Sequence, residues 1–299
     1  YEAVRSYKPQ IIHGAVFEGN TMAFTGGLLG GVPIVLLEET SDPKNRSGKA
    51  HLLLKLMTTV ADRMVAVSPA TARYLEKTAK INPKKIQLIN NGVEIPRPAK
   101  KAELDRLRRS HGIREDDLVV GSVGRVWDRV KLFSDIIKAI ALLPGRAKIK
   151  ILIVGDGPDT EQLHNLAMEK GLAEHLIMPG VQMDTAPYYG LMDIFCIASD
   201  NEGFGLVAVE AMFHQLPVVA TSVGGLKDIV IDGETGFLVP SHSPQKIAER
   251  LQLLINDSTI RKTMGEAGRI RAEKEYSAAV YAEKVHRLYQ ELIKEKYIH

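Results

Sequence analysis

This sequence of 299 residues contains a single cysteine and lacks long apolar runs. One cysteine, Cys196, excludes an internal disulfide framework and fits a reducing compartment. It lies in the run IFCIA, which predicts a small buried side chain. No apolar stretch reaches the roughly 18 residues that predict a transmembrane helix. No secretory signal is visible, but the sequence starts at Tyr1 without a methionine, so this absence says little.

The net charge is small, but the charged residues are unevenly distributed along the chain. A composition of 45% hydrophobic and 25% charged residues is typical of a globular protein with a sizeable core. The net charge is +3, of which residues 1–116 contribute +7 and residues 117–299 contribute −4. The basic first part indicates either an anionic partner or a solvated basic surface, and the sequence leaves both open.

From residue 117 onward, short apolar runs alternate with helical patterns. Such alternation predicts a parallel sheet with helices on both faces, an α/β fold. Functional loops of these sheets gather at the carboxyl ends of the strands. The glycines that follow predicted strands are therefore expected at that one edge: Gly121, Gly124, Gly155, Gly157 and Gly180.

The first part of the chain resembles an incomplete unit of the same kind. Only about four strands are visible, starting at PQIIHGAV, VPIVLLEE, RMVAVSP and IQLINNGVE, whereas about five or six are expected. Its first part is therefore expected to be missing. We predict a partial domain with its linker at 1–116, a second domain at 117–276, and a final helix at 277–299. That helix has one apolar stripe, which is expected to cross back to the first domain.

Two glutamates flank the segment NEGFGLVAVEAM. The predicted helix begins near Gly205, so the amides of Phe204, Gly205 and Leu206 form its start, where anions such as phosphate bind. Glu202 lies in the preceding loop, and Glu210 lies about a turn and a half into the helix. Carboxylates accept hydrogen bonds from hydroxyls, so the pattern indicates a nucleotide sugar. The alternative is that Glu202 caps the helix and Glu210 is a solvated helical residue.

Three other loops strengthen the ligand hypothesis. In GSVGRVWDRVK, Arg125 and Lys131 follow a strand, and two cations in one loop can hold a diphosphate. VGDGPD is a glycine turn between a strand and a helix, and VGG is a third such turn. A dinucleotide-dependent oxidoreductase would need G-x-G-x-x-G, and GDGPDT has threonine at the third glycine position, so that fingerprint fails.

The ordered set GxxGR…K, VGDGP, EGFGLVAVEAM, VGG and DGxTGxLVP resembles retaining glycosyltransferases of the GT-B fold, family GT4. The hallmark is two glutamates separated by seven residues, here Glu202 and Glu210. The motifs match from about 119 to 240, INNGV resembles the link before the donor domain, and the resemblance covers nearly the whole chain. It implies two Rossmann-like domains facing a cleft, the N-terminal one incomplete. It also implies transfer of a sugar, of the hexosyl type, from a nucleoside diphosphate to a hydroxyl acceptor.

The resemblance also implies residue roles. Arg125 and Lys131 would neutralise the leaving diphosphate, Glu202 would contact the transferred sugar, and Glu210 would hold the ribose hydroxyls. His13 resembles an acceptor-side catalytic histidine, although a structural histidine fits equally well. The remaining donor-binding predictions are Gly124, Gly155, Gly157, Val181, Gln182, Met183, Gly203, Phe204, Gly205, Leu206 and Val207, with the base near 181–183.

Further residues would line the acceptor side, and some positions depart from the family pattern. Glu18 and the loop 38–48 are predicted there, and its Arg46 is either an anion-binding or a solvated residue. His214 and Gln215 replace a small residue and a glycine of many relatives, and Asp228 replaces a glutamate. We expect these changes to adjust the donor site rather than to abolish its function. The family's first strand and its glycine-rich loop have no counterpart here, so this chain alone is expected to be inactive or incomplete.

No Asp-x-Asp triplet occurs, which disfavours the metal-dependent alternative fold of sugar transferases. We therefore predict no cofactor and no bound metal. The predicted partners are a nucleotide sugar and a glycan, small-molecule or lipid-linked acceptor, with no nucleic acid. The protein is expected in the cytoplasm, with peripheral membrane contact through the basic first part. The rival from another class is a non-catalytic nucleotide-sugar-binding or scaffold protein with a degenerate N-terminal half.

Overall fold

The computed structural model describes residues 1–41 and 46–297, and the predicted loop at 38–48 lies partly outside these residues. Ten strands occur in the described residues. They are β1 (Ile11–Ala15), β2 (Ile34–Glu39), β3 (Arg63–Ala66), β4 (Ile86–Leu88), β5 (Leu118–Val123), β6 (Ile149–Val154), β7 (Leu176–Ile177), β8 (Ile194–Ile197), β9 (Val218–Thr221) and β10 (Gly236–Val239).

Fourteen α-helices occur in the same residues. They are α1 (Glu2–Tyr7), α2 (Val16–Gly30), α3 (Gly48–Val60), α4 (Pro69–Lys77), α5 (Lys101–Ser110), α6 (Asp128–Lys131), α7 (Phe133–Ala141), α8 (Thr160–Glu169), α9 (Ala186–Tyr189), α10 (Leu206–Phe213), α11 (Leu226–Ile229), α12 (Pro244–Asn256), α13 (Ser258–Tyr276) and α14 (Ala278–Tyr297). Within the described part of the chain, none of these helices has the length and apolarity that crossing a bilayer requires.

The first of two compact units comprises Tyr1–Gly92, Glu202–Phe204 and Tyr276–His299. Its sheet has the order β1-β2-β3-β4, and every neighbouring pair is parallel. Each step to the next strand passes through one helix, as parallel pairing requires. The alternating apolar residues of β2 supply two different cores, because successive side chains of a strand point to opposite faces.

One face of this sheet carries α2, α3 and α4, and the other carries α14. Val35 and Leu37 pack with Leu54 and Met57 of α3 on the first face. Ile34 and Leu36 belong to the second core, which α14 completes. That core comprises the buried residues Ile34, Leu36, Val65, Ile89, Leu288 and Leu292, with Tyr281, Val285 and Tyr289 packed against them. The apolar stripe of the last helix thus lies on the sheet of the first unit.

The second unit comprises Val93–Asn201 and Gly205–Glu275. Its six strands are all parallel and have the order β10-β9-β8-β5-β6-β7. Chain order reverses between β5 and β8, which makes the carboxyl ends of these strands the expected ligand site of such a sheet. Cys196 lies in its main core and is fully buried, and burial raises the pKa of its thiol.

The boundary between the units differs from the sequence-based one at 116/117, because the second unit begins at Val93. The charged linker forms α5, which packs against α9; a β-carbon on Gly190 would lie 3.0 Å from Leu104. The strand β7 is short, since it ends at Ile177. Beyond it Gly180 takes a φ of 77°, and its carbonyl accepts a bond from the amide of Gly155.

Candidate functional site

The loops after β5 and β6 meet at the carboxyl edge of the second sheet. The amide of Gly124 donates to the carbonyl of Val154 at 2.9 Å, and the amide of Val126 donates to that of Asp156 at 3.0 Å. A β-carbon on Gly155 would lie 2.0 Å from the oxygen of Gly124. A β-carbon on Gly157 would lie 2.2 Å from that of Val126. Glycine is therefore required at both positions because two backbone segments approach each other closely, which the sequence alone did not show.

We expect Gly157→Ala to destabilise the second unit by about 2–4 kcal/mol, because the new methyl group would overlap backbone that cannot move away cheaply. Gly145→Ala is the matched control. Gly145 has a φ of 72° and open space around its β-position, so only the left-handed conformation is strained. Its expected cost is about 1 kcal/mol. Urea unfolding of both variants measures the difference, and equal losses would contradict the steric argument.

The two predicted cations of the β5 loop have different surroundings. Lys131 ends the short helix α6 and is half-buried, and a β-carbon on Gly124 would lie 4.0 Å from its Cε. The lysine side chain therefore runs across the glycine turn at the end of β5. Arg125 is exposed, and its guanidinium lies 5.7 Å from the ring centroid of Trp127. The structure brings Lys131 to the glycine turn and places Arg125 on the outside of the same loop.

The helix predicted near Gly205 begins there. Gly205 precedes α10 with a φ of 114°, a conformation that favours glycine, and its carbonyl accepts the amide of Ala208 at 2.9 Å. Leu206 is 43% exposed and Val207 is half-buried, so the first turn of α10 is open to a ligand. The amides of such a first turn have no partner within the helix and attract anions.

Glu210 is held by a tyrosine that sequence reasoning missed. The hydroxyl of Tyr189 donates to Oε2 of Glu210 at 2.7 Å and lies 3.3 Å from the carbonyl of Val207. Tyr189 is 1% exposed, and its pKa lies well above the usual range because of burial and then the charge of Glu210. Its ring stacks on His214, with centroids 4.9 Å apart, and Nδ1 of His214 lies 2.8 Å from the carbonyl of Glu210. Tyr189 and His214 thus fix the orientation of this carboxylate.

The departures at His214 and Gln215 have clear structural consequences. His214 supplies the ring under Tyr189, and its Nε2 is buried without a hydrogen-bond partner among the described residues. Gln215 has a φ of 58°, the left-handed region in which glycine is usual after a helix. His214 could be noticed in the sequence because it replaces a small residue found in many relatives. In the run APYYGLM, by contrast, nothing distinguished Tyr189 from the neighbouring Tyr188.

We expect the second unit to lose stability as the pH falls below about 6.5, the ordinary pKa of histidine. Burial lowers the pKa of His214. Below the unfolded pKa the unfolded chain takes up a proton that the folded chain resists, so the free energy of unfolding decreases as pH decreases. Trp127, the single tryptophan, allows fluorescence-detected urea unfolding of this unit at pH 7.5 and 5.5. His214→Gln should reduce the difference, and the exposed His164→Gln should not.

The loop predicted to contact a base follows β7. Val181 is 71% exposed and Met183 is fully exposed, while the side-chain amide of Gln182 donates to the carbonyl of Pro179 at 2.8 Å. Gly180, next to this loop, is bonded to Gly155, so the loop adjoins the glycine turn after β6. Two apolar side chains are thus presented to solvent at this edge of the sheet.

The segment Glu202–Phe204, which ends one residue before the capping Gly205 of α10, belongs to the first unit. The carbonyl of Gly203 accepts a hydrogen bond from the hydroxyl of Ser68 at 2.8 Å, and a β-carbon on Gly203 would lie 2.2 Å from the carbonyl oxygen of Thr40. Phe204 is 4% exposed and meets the ring of Tyr276 edge-on at 5.6 Å. Glu202 is half-buried at the start of this segment. Gly203 is therefore required by backbone packing.

His13 lies in the middle of β1 and faces α14. Its Nδ1 lies 2.9 Å from the hydroxyl of Tyr289, and its Nε2 lies 3.7 Å from Oε2 of Glu38. Burial lowers the pKa of His13 and raises that of Glu38, so both shifts favour the neutral forms. The structure brings His13 to Glu38 and Tyr289, an environment that a structural histidine also has.

Arg46 has a partner within the first unit. Its guanidinium donates to Oε2 of the buried Glu39 at 2.6 Å and lies 5.7 Å from the ring centroids of Phe17 and Tyr74. This ion pair and two rings account for Arg46 without an anionic acceptor. Glu18 is exposed on α2.

Comparison with solved structures gives the type of fold. The described structure is similar to that of Anabaena Alr3699/HepE in complex with UDP and glucose, with a TM-score of 0.88, 21% identity, and coverage of 97% of this chain and 80% of that chain. It also resembles sucrose-phosphate synthase from Thermosynechococcus elongatus, with a TM-score of 0.84, 25% identity, and coverage of 98% and 76%. The fold is α/β of the GT-B type.

The sequence comparisons give the family. The model of glycosyl transferases group 1 matches residues 104–271, and that of glycosyltransferase family 4 matches residues 1–97. The chain belongs to the glycosyl transferases group 1 family.

Two curated relatives are similar over most of this chain. The capsular polysaccharide biosynthesis glycosyltransferase CapM of Staphylococcus aureus is 28% identical over 82% of this chain and 66% of its own length. The D-inositol 3-phosphate glycosyltransferase of Corynebacterium aurimucosum is 34% identical over 77% and 56%. The chain thus spans about half to two thirds of the length of the curated relatives that it matches.

Proposed function

We propose that this chain provides the donor-binding site of a retaining glycosyltransferase. It would move a sugar from a nucleoside diphosphate sugar to a hydroxyl acceptor. The observation that carries this proposal is the position of Lys131 across the Gly124 turn, at the sheet edge where β5 and β6 end. A cation over a turn of close-packed backbone is suited to a diphosphate, which needs both charge and hydrogen-bond donors.

Other side chains of the second unit are suited to the ribose and the base of a nucleotide sugar. Glu210, oriented by Tyr189, would accept hydrogen bonds from the ribose hydroxyls. The exposed Val181 and Met183 would contact the base. The amides at the start of α10 would add donors to the phosphates. Because one structural relative is described in complex with UDP and glucose, uridine nucleotides are the first to test.

In the proposed reaction, the bond between the sugar and the diphosphate breaks while the acceptor oxygen attacks the same face. Negative charge develops on the leaving diphosphate, and Lys131 and Arg125 would stabilise it. The leaving phosphate would help to take the acceptor proton. Glu202 would contact the transferred sugar, and His13 would act on the acceptor side. Loss of phosphate stabilisation should therefore lower the rate of transfer as well as donor affinity.

A panel of nucleotide sugars tests this proposal on the intact protein. A nucleotide sugar that binds the native state raises the melting temperature by mass action. The donor that binds is then incubated with candidate acceptors, and the anomeric configuration of the product is read by proton NMR. Retention is expected. Absence of stabilisation by any nucleotide sugar would contradict the proposal, and binding without transfer or donor hydrolysis would favour the non-catalytic rival.

Donor binding is expected to need no divalent metal. The sequence has no Asp-x-Asp triplet, and no group of three or more histidine, cysteine, aspartate or glutamate side chains in the described residues could hold an ion. UDP affinity measured by calorimetry in EDTA and in magnesium should therefore agree within about two-fold, a difference of less than about 0.5 kcal/mol. A loss of ten-fold or more in EDTA would refute metal independence.

A further inference from the structure

The outer face of α3 presents leucines to solvent. Leu52 is 69% exposed, Leu56 is 53% exposed and Leu53 is 36% exposed. Residues three and four apart lie on the same side of a helix, so these leucines form one stripe together with the exposed Lys49. Isolated exposed apolar residues are ordinary, but a contiguous apolar stripe marks a surface that contacts something.

The chain around this stripe is strongly basic. Residues 48–85 contain eight lysines and arginines and only two acidic residues, and α3 itself carries two lysines and no carboxylate. The stripe therefore combines apolar side chains with positive charge. That combination fits an anionic lipid surface, which offers both an apolar layer and negative headgroups.

A cleft of about 590 Å³ lies between α3, α4 and the turn after α4. Its charged lining consists of Lys55, Lys80, Lys85 and Glu76. Nζ of Lys85 donates to the carbonyls of Thr58, Thr59 and Ala61, at 2.7, 3.2 and 2.7 Å, at the end of α3. Lys85 is thus used to cap that helix, and Lys55 and Lys80 are the exposed cations of the cleft.

We propose that α3 and this cleft form a docking surface for an anionic phospholipid bilayer. Leu52, Leu53 and Leu56 would enter the boundary between headgroups and acyl chains, while Lys55 and Lys80 would meet headgroup phosphates. A helix of 13 residues is about 20 Å long, so it would lie in the plane of the surface rather than cross it. A soluble anion alone would leave the leucines unexplained, which favours the bilayer. The proposal concerns binding and does not depend on the donor chemistry.

Co-sedimentation with vesicles tests the proposal on the intact protein. One set of vesicles is phosphatidylcholine alone, and the other contains phosphatidylglycerol at about one third. Binding is expected to the second set and to weaken with added salt, because exposed charges are screened. Lys55→Glu with Lys80→Glu should weaken binding by roughly ten-fold or more, given the strength of lysine near an anionic surface. Leu52→Ser with Leu56→Ser should weaken it to a similar extent.

Matched controls lie in the second unit. Leu142 is 55% exposed and Leu253 is 45% exposed, and Lys262 and Lys274 are exposed as well. Leu142→Ser with Leu253→Ser, and Lys262→Glu with Lys274→Glu, therefore make the same double changes elsewhere. Both should bind vesicles like the unchanged protein. Circular dichroism shows whether the leucine variant is folded; if it is not, the single change Leu52→Gln replaces it.

Three outcomes would overturn the proposal. One is binding of the α3 variants equal to that of the controls, and another is equal binding to both vesicle types. The third is a dimer, detected by sedimentation velocity, that the leucine variant converts to a monomer while its binding to vesicles stays unchanged. That result would assign the stripe to a second copy of the chain.

Discussion

Leu288→Ala and Leu292→Ala are each expected to lower the free energy of unfolding of the first unit by about 2–5 kcal/mol. Both side chains are 2% exposed and pack with Ile34, Leu36 and Val65 on one face of the sheet. Alanine would lose the transfer free energy of the removed carbons and leave a cavity under α14. Because this face of the sheet is covered by α14, the last helix is a structural part of the first unit.

Glu291→Ala is the matched control for these leucines, since Glu291 is an exposed neighbour on the same helix. Urea unfolding followed by far-ultraviolet circular dichroism reports on both units, whereas Trp127 fluorescence reports on the second. The leucine variants should shift the circular dichroism transition to lower urea, and Glu291→Ala should shift it little. Leucine variants as stable as the control would show that α14 does not support the sheet in solution.

Lys131→Ala is expected to weaken UDP binding by about 12- to 150-fold. This range corresponds to about 1.5–3 kcal/mol, the contribution of a hydrogen bond to a charged group. The half-buried side chain crosses the glycine turn at the end of β5, so its ammonium group is partly shielded from water and acts more strongly on a diphosphate. Arg125→Ala should weaken binding less, because Arg125 is exposed and its charge is more fully screened.

Arg129→Ala controls for the loss of a positive charge, because Arg129 is exposed on the same short helix two residues from Lys131. Calorimetric titration of UDP, and of GDP and ADP if UDP does not bind, gives the affinities. Circular dichroism confirms that each variant is folded. If Lys131→Ala and Arg129→Ala bind the best nucleotide equally well, the phosphate does not lie at Lys131.

Much of the architecture follows from the sequence alone. Apolar runs such as those of β5, β6 and β8 predicted buried parallel strands, and the structure has them in one parallel sheet. The glycine turn before LVAVEAM predicted the start of α10 at Gly205. The apolar stripe of the tail, formed by Tyr281, Val285, Leu288 and Leu292, predicted a one-sided helix, and α14 is helical there. These features depend on residues within one or two turns of each other, so the local pattern determines them.

Only the tertiary structure decided how the site residues are held. Tyr189 and Glu210 are 21 positions apart, and their hydrogen bond forms because Tyr189 and α10 both pack against β8. Gly155 and Gly157 pack on the carbonyls of a loop about thirty positions earlier, and Gly203 packs on Thr40. Arg46 pairs with the buried Glu39, and its guanidinium also lies against the rings of Phe17 and Tyr74, which are distant in sequence. The sequence therefore determined which elements form, whereas contacts between distant residues decided what orients each side chain, because those contacts depend on packing that no local period encodes.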